Sequence, residues 1–217
     1  MDFKAYKQEV FQTTMDLVAI DLIRMSSGNI STRLPDGTIA ITPSGVLYSQ
    51  LKPEDIVIMD LESQVLDGSY KPSSEWQLHT EIYKALPEVG AVVHVHSRYA
   101  IALGSVGLEI PVCGIEILEM GGPIPVAPFQ TPGTRQVGLG AAEIMKGKPG
   151  LRSLLLQNHG MVAIGKDLLD AYQSAYKTET GAEIYHHALA TGREVRVLSE
   201  AEIEQIWRVY KKPKESQ

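Results

Sequence analysis

Ala91-Val92-Val93-His94-Val95-His96 is an apolar, largely β-branched run that closes on two histidines with one residue between them. Its length and composition predict a buried strand. Alternate side chains of a strand share a face, so His94 and His96 point the same way and can both reach one ion. Histidines at this spacing also pack as ordinary residues on sheet surfaces, so the pair needs further donors before it means metal.

The flanks of this strand are legible too. Upstream, Ser74 and Gln77 have capping-box spacing, and Leu78, Ile82 and Leu86 follow at helical intervals before Pro87. A helix from about Ser74 is expected. Downstream, a short helix is expected from about Ser97. Towards the N-terminus, Asp36-Gly37 sits between the apolar-rich runs 30–34 and 38–42, the mark of a β-hairpin. Further strands are expected over 56–60 and 64–66. Val10, Phe11, Leu17, Val18 and Leu22 give an opening helix over 3–25. In the second half, helices are expected over 134–145, 167–190 and 200–210. Two short apolar runs, 153–157 and 161–164, enclose Asn158-His159-Gly160. Hairpins near both ends with helices between them predict a mixed sheet with helices packed over it.

Composition narrows the function. The 217 residues are 44% apolar, enough for a substantial core, and one domain over 1–217 is expected. The formal charge is −6 with no basic stripe, which argues against nucleic acid and anionic membrane as partners. A single cysteine, Cys113, precludes an internal disulfide, and the N-terminus lacks a signal peptide's apolar core, so a cytoplasmic location is expected. No apolar stretch approaches the ~20 residues of a membrane span.

Two further residues join the histidine pair. His159 lies where an apolar strand breaks, beside a glycine that frees the backbone. Glu75, in Ser73-Ser74-Glu75, falls at a helix start, where the dipole favours a carboxylate and lowers its proton affinity. Three imidazoles leave zinc an open position, the pattern of a catalytic rather than a structural site. Manganese, cobalt and iron can use the same donors. His79, His186 and His187 fall on expected helices without such company and are read as structural.

Three segments share another chemistry. Gly28-Asn29, Thr42-Pro43-Ser44-Gly45 and Ser73-Ser74 combine small hydroxyl or amide side chains with exposable backbone N–H groups, and together they could cradle an anion. Each alone reads as a turn or a cap.

In order and approximate spacing, Gly28-Asn29-Ile30-Ser31, Thr42-Pro43-Ser44-Gly45, Ser73-Ser74-Glu75, Val93-His94-Val95-His96 and Asn158-His159-Gly160 resemble the motifs of the class II aldolase/adducin family. The similarity spans nearly the whole chain. It implies a three-layer α/β/α sandwich around a largely antiparallel sheet of nine strands, assembled as a homotetramer with active sites between subunits. It implies zinc, or Mn2+, Co2+ or Fe2+ in its place, on His94, His96 and His159. Glu75 matches the glutamate that completes the empty metal site and acts as acid/base once substrate chelates the ion. Gly28, Asn29, Ser44, Gly45, Ser73 and Ser74 match the positions that bind a sugar phosphate.

The activity so implied is cleavage of a ketose 1-phosphate to dihydroxyacetone phosphate and a small aldehyde. That reaction leaves negative charge as an enediolate, for which a divalent metal is the natural sink. One departure stands out: Val112-Cys113-Gly114-Ile115-Glu116-Ile117, before Gly121-Gly122, holds no tyrosine where the family's aldolases carry one near the aldehyde oxygen. A pentulose-phosphate 4-epimerase or a methylthioribulose-phosphate dehydratase would use the same metal, and a zinc hydrolase the same His-x-His. From another class, an adducin-like interaction module would need no intact ligand set.

Overall fold

The computed structural model of the chain describes residues 2–210. The chain runs α1 (Lys4–Ala19), β1 (Asn29–Arg33), β2 (Ile39–Ile41), β3 (Val57–Met59), β4 (Val65–Asp67), α2 (Trp76–Ala85), β5 (Ala91–Val95), α3 (Arg98–Ser105), α4 (Ile115–Leu118), β6 (Val126–Ala127), α5 (Arg135–Gly147), β7 (Ser153–Leu156), β8 (Gly160–Gly165), α6 (Leu168–Ala190) and α7 (Glu200–Tyr210). The strands form one sheet in the order β4-β3-β2-β1-β5-β8-β7-β6. Neighbours are antiparallel except β6 and β7, which run parallel.

The period-2 pattern of β5 divides the core in two. Ala91, Val93 and Val95 face a layer that includes Val10 and Leu17 of α1, Leu103 of α3 and Ala171 and Ala175 of α6. Val92 faces the opposite layer, with Leu78 and Ile82 of α2 and Val137 and Ala141 of α5. The fold is therefore an α/β/α sandwich around a mostly antiparallel sheet, and each fully buried Val, Ile or Leu contributes about 1.5–3 kcal/mol to it. His94 shares the α2 face with Val92, so everything built on that side of β5 meets α2.

Three expectations are corrected. Eight strands are present among the described residues rather than nine. Ile110 and Ile124 make only an isolated antiparallel bridge, because Pro111, Pro123 and Pro125 flank it and supply no N–H to extend a ladder. The opening helix stops at Ala19, not Met25. Asp21 turns left-handed at φ 62°, and the backbone N–H groups of Leu22 and Ile23 fold back onto the Leu17 carbonyl, which drops both side chains into the core. Finally, α2 begins at Trp76 with Glu75 at the capping position, and no side chain caps it; Ser73 Oγ instead accepts from the Glu75 N–H at 3.2 Å. The Ser74–Gln77 capping box is not formed.

The expected strands and the other long helices lie within a residue or two of the predicted bounds. At α3 the first N–H groups, Tyr99 and Ala100, are satisfied by the Glu179 carboxylate at 2.9 Å each, a long-range cap that ties α3 to α6. No helix of the described residues is long and apolar enough to cross a membrane.

Candidate metal centre and active site

His94 lies within β5, His96 just past its end, His159 in the turn between β7 and β8, and Glu75 at the start of α2. The four offer one ligand atom each, all within 4.8 Å of one another. Glu75 Oε2 is 3.1 Å from His94 Nε2 and 4.0 Å from His96 Nε2, and Glu75 Oε1 is 3.0 Å from His159 Nε2. The His94 and His96 Nε2 atoms are 3.0 Å apart. Donors about 2.1 Å from a tetrahedral ion stand roughly 3.4 Å from each other, so these separations have the scale of a coordination shell.

The chemistry of the donor set asks for a cation. His94 Nδ1 lies 2.8 Å from the Met161 carbonyl, which can only accept; Nδ1 therefore carries the proton, and Nε2 presents a lone pair to the cluster. That lone pair meets another nitrogen and a carboxylate. Glu75 Oε1 and His159 Nε2 are buried and complete no hydrogen bond despite their approach. Convergent acceptors and orphaned buried polar atoms fit a divalent ion held by His94, His96, His159 and Glu75.

Electrostatics favour the ligating forms. Desolvation lowers the His96 pKa to about 4, with the neighbouring His94 and His159 pushing the same way, so its imidazole is neutral near pH 7. Burial by itself would raise the Glu75 pKa. The close approach of the His159 and His94 rings outweighs that and holds the carboxyl well below the usual range, as an anion.

Two glycines make the packing feasible. A Cβ on Gly160 would sit 2.4 Å from the Val95 carbonyl oxygen and 3.1 and 3.2 Å from the His96 and His94 rings. Only a bare Cα lets the strand pass behind both imidazoles. Gly28 has φ +82° and would bring a Cβ to 2.7 Å from the His94 carbonyl oxygen. The loop at Gly28 is pinned by Tyr48, whose buried hydroxyl donates to the Gly28 carbonyl at 2.6 Å.

The three small-residue segments are brought side by side. Ser44 N–H donates to the Lys71 carbonyl at 2.9 Å, Ser73 N–H to the Thr42 carbonyl at 3.0 Å, and Pro43 pairs with Pro72. Thr42 in turn is tied to β1, its N–H donating to the Ile30 carbonyl and its Oγ1 accepting from the Ile30 N–H. Gly28, Asn29 and Ser73 are buried, while Ser44, Gly45 and Ser74 are exposed. The Ser44 and Ser73 N–H groups are spent on the clamp, and Ser44 and Ser74 are exposed at its surface. Asn29 is buried beneath, its Nδ2 donating to Glu75 Oε2 at 3.0 Å. Tyr210, at the end of α7, is exposed and stacks edge-on with Trp207.

His79 is the residue the sequence did not single out. It is fully buried, with Nε2 2.5 Å from Asn29 Oδ1 and Nδ1 2.7 Å from Ser31 Oγ. The available signal was its position four residues after Glu75, on the same helical face. Desolvation lowers its pKa from 6.5 to about 3. The folded value lies below the unfolded one, so stability is full above about pH 6.5 and falls as the pH drops towards 3, by about 1.4 kcal/mol per unit from this group. In urea unfolding of chelator-treated protein, the acid loss between pH 6.5 and 4.5 is therefore expected to be smaller by that slope in His79→Phe than in the parent. Equal losses would contradict it.

Three imidazoles and a carboxylate close on one point at the end of a mostly antiparallel α/β/α sandwich, an arrangement able to hold a divalent ion. The chain belongs to the class II aldolase and adducin N-terminal domain family, which it matches over residues 8–186. It is 35% identical over 201 residues to 5-deoxy-D-ribulose 1-phosphate aldolase of Bacillus thuringiensis serovar kurstaki, covering 92% of each chain. It is 32% identical over 212 residues to L-fuculose phosphate aldolase of Escherichia coli, covering 97% of this chain and 96% of that one. A solved L-fuculose 1-phosphate aldolase superposes with a TM-score of 0.88 at 34% identity, covering 95% and 96% of the two chains.

Proposed function

We propose that the protein is a metal-dependent aldolase that reversibly cleaves a ketose 1-phosphate to dihydroxyacetone phosphate and a small aldehyde. The observation that carries this reading is the convergence of Glu75 with His94, His96 and His159 beside the clamped Ser44 and Ser73-Ser74 loops. When bound, a divalent ion, zinc or alternatively Mn2+, Co2+ or Fe2+, supplies Lewis-acid stabilisation of the enediolate charge. Glu75, held as an anion and hydrogen-bonded by Asn29, moves the proton at C3. Gly28, Asn29, Ser44, Gly45, Ser73 and Ser74 bind the phosphate and fix the register of the chain's reacting carbons.

The far end of the substrate has a candidate site as well. Beside His159 is a cavity of about 240 Å³ walled in part by Ala127, Val137, Ile144 and Leu156, which suits an aldehyde with an apolar end. A relative's name points the same way, being that of an aldolase of a 5-deoxy sugar phosphate. The protein works as a cytoplasmic homotetramer in this reading, and light scattering is expected to return four times the 23.8 kDa chain mass; a monomer would contradict it.

Product analysis tests the activity. Metal-replete protein given 5-deoxyribulose 1-phosphate or L-fuculose 1-phosphate is expected to yield two carbonyl fragments. A stereoisomer would replace the aldolase reading by an epimerase, and loss of water by a dehydratase.

A further inference from the structure

Behind the metal centre a row of polar side chains crosses the interface between α2 and β1. Glu75, His79 and Tyr83 recur every four residues along α2, and Asn29, Ser31 and Arg33 every two along β1. Four helical residues rise about 6 Å and two strand residues about 6.7 Å, so the two sets stay in step over their length. The contacts interleave: Glu75 Oε2 to Asn29 Nδ2 at 3.0 Å, Asn29 Oδ1 to His79 Nε2 at 2.5 Å, His79 Nδ1 to Ser31 Oγ at 2.7 Å, and Ser31 Oγ to Tyr83 hydroxyl at 2.8 Å. Arg33 closes the row, lying 4.8 Å over the Tyr83 ring and donating to its carbonyl.

Each bond in the row fixes the direction of the next. A carboxylate only accepts, so Asn29 must turn its Nδ2 to Glu75 and its Oδ1 to His79. That oxygen also only accepts, so His79 Nε2 carries the proton and Nδ1 is bare. Ser31 must then donate to Nδ1, and its oxygen accepts from the Tyr83 hydroxyl. One assignment satisfies every member, in a buried setting where a broken link costs the desolvation of both ends.

We propose that His79 is a positioning residue which, acting through Asn29 and held by Ser31 and Tyr83, keeps the Glu75 carboxylate aimed for proton transfer. If Nδ1 and Nε2 exchanged roles, the Asn29 amide would turn over and present Oδ1 to the carboxylate, repelling it. The inference rests on the proposed role of Glu75, and it adds a requirement that the metal ligands alone do not impose.

Two readouts test it on the full chain. Histidine 15N NMR is expected to show His79 as the neutral Nε2–H tautomer over about pH 5 to 8. A bare Nε2 would overturn the assignment regardless of activity. In kinetics of the metal-loaded protein, His79→Phe is expected to lower kcat roughly 10- to 100-fold with KM and metal content close to the parent's. In a Glu75→Gln background the same change adds no further loss. Ser31→Ala, a smaller change, is expected to lower kcat in the same manner and carries the test if His79→Phe does not fold. Full kcat in both variants, with Glu75→Gln inactive, would overturn the positioning role and leave the aldolase reading standing; an active Glu75→Gln would overturn the role of Glu75 on which the inference rests.

Discussion

Glu75→Gln is expected to lower kcat by roughly 10²- to 10⁴-fold, the range that a positioned acid/base group contributes. The side chain is buried beside three imidazoles, and Gln keeps its shape, so the packing of α2 against β1 survives. What disappears is the anion that His159 and His94 hold deprotonated. The loss belongs to kcat rather than KM, because the loops assigned to phosphate binding are untouched. Steady-state kinetics with metal analysis and a thermal melt check it. Near-parental turnover in a folded, metal-loaded variant would remove Glu75 from the mechanism.

His94→Ala is expected to abolish measurable metal retention and, with it, activity. His94 is fully buried and anchored at both ring nitrogens, one to the Met161 carbonyl and one to the cluster. Losing an outer partner of a metal ligand commonly costs 10- to 100-fold in affinity or activity, and losing the ligand itself costs more. The substitution also leaves a buried cavity and removes a donor from the Met161 carbonyl, so folding stability should fall by roughly 2–4 kcal/mol in a urea titration. Metal content by atomic emission after gel filtration is the direct measurement. A variant that keeps stoichiometric ion would show that His94 is not a ligand.

The sequence carried the strands and the donor set because both are local. His94 and His96 are placed on one face by the pleat of a single strand, and Gly160 announces a close approach beside His159. The Asp36-Gly37 hairpin is equally local, with Gly37 at φ 86° and the Asp36 carboxylate accepting from Thr38. What escaped was set by pairings between distant elements. His79 belongs to the site because α2 lies over β1 in one register, and nothing within α2 states that register. The start of α2 shifted from Ser74 to Trp76 because the Lys71–Ser74 stretch is clamped to the Thr42–Gly45 loop instead of entering the helix. Strand β6 is two residues long and parallel to β7, too short for any periodicity to reveal. The early end of α1 follows from the core claiming Leu22 and Ile23 at an angle that a continued helix could not supply.

The central claim is a metal-dependent cleavage of a ketose 1-phosphate, and release of dihydroxyacetone phosphate measured with and without chelator tests it most directly. Metal-replete protein is expected to release it from at least one of 5-deoxyribulose 1-phosphate and L-fuculose 1-phosphate, to stop when the ion is chelated, and to resume when a divalent ion is restored. No release from metal-loaded protein, or release that a chelator leaves unchanged, would contradict the account.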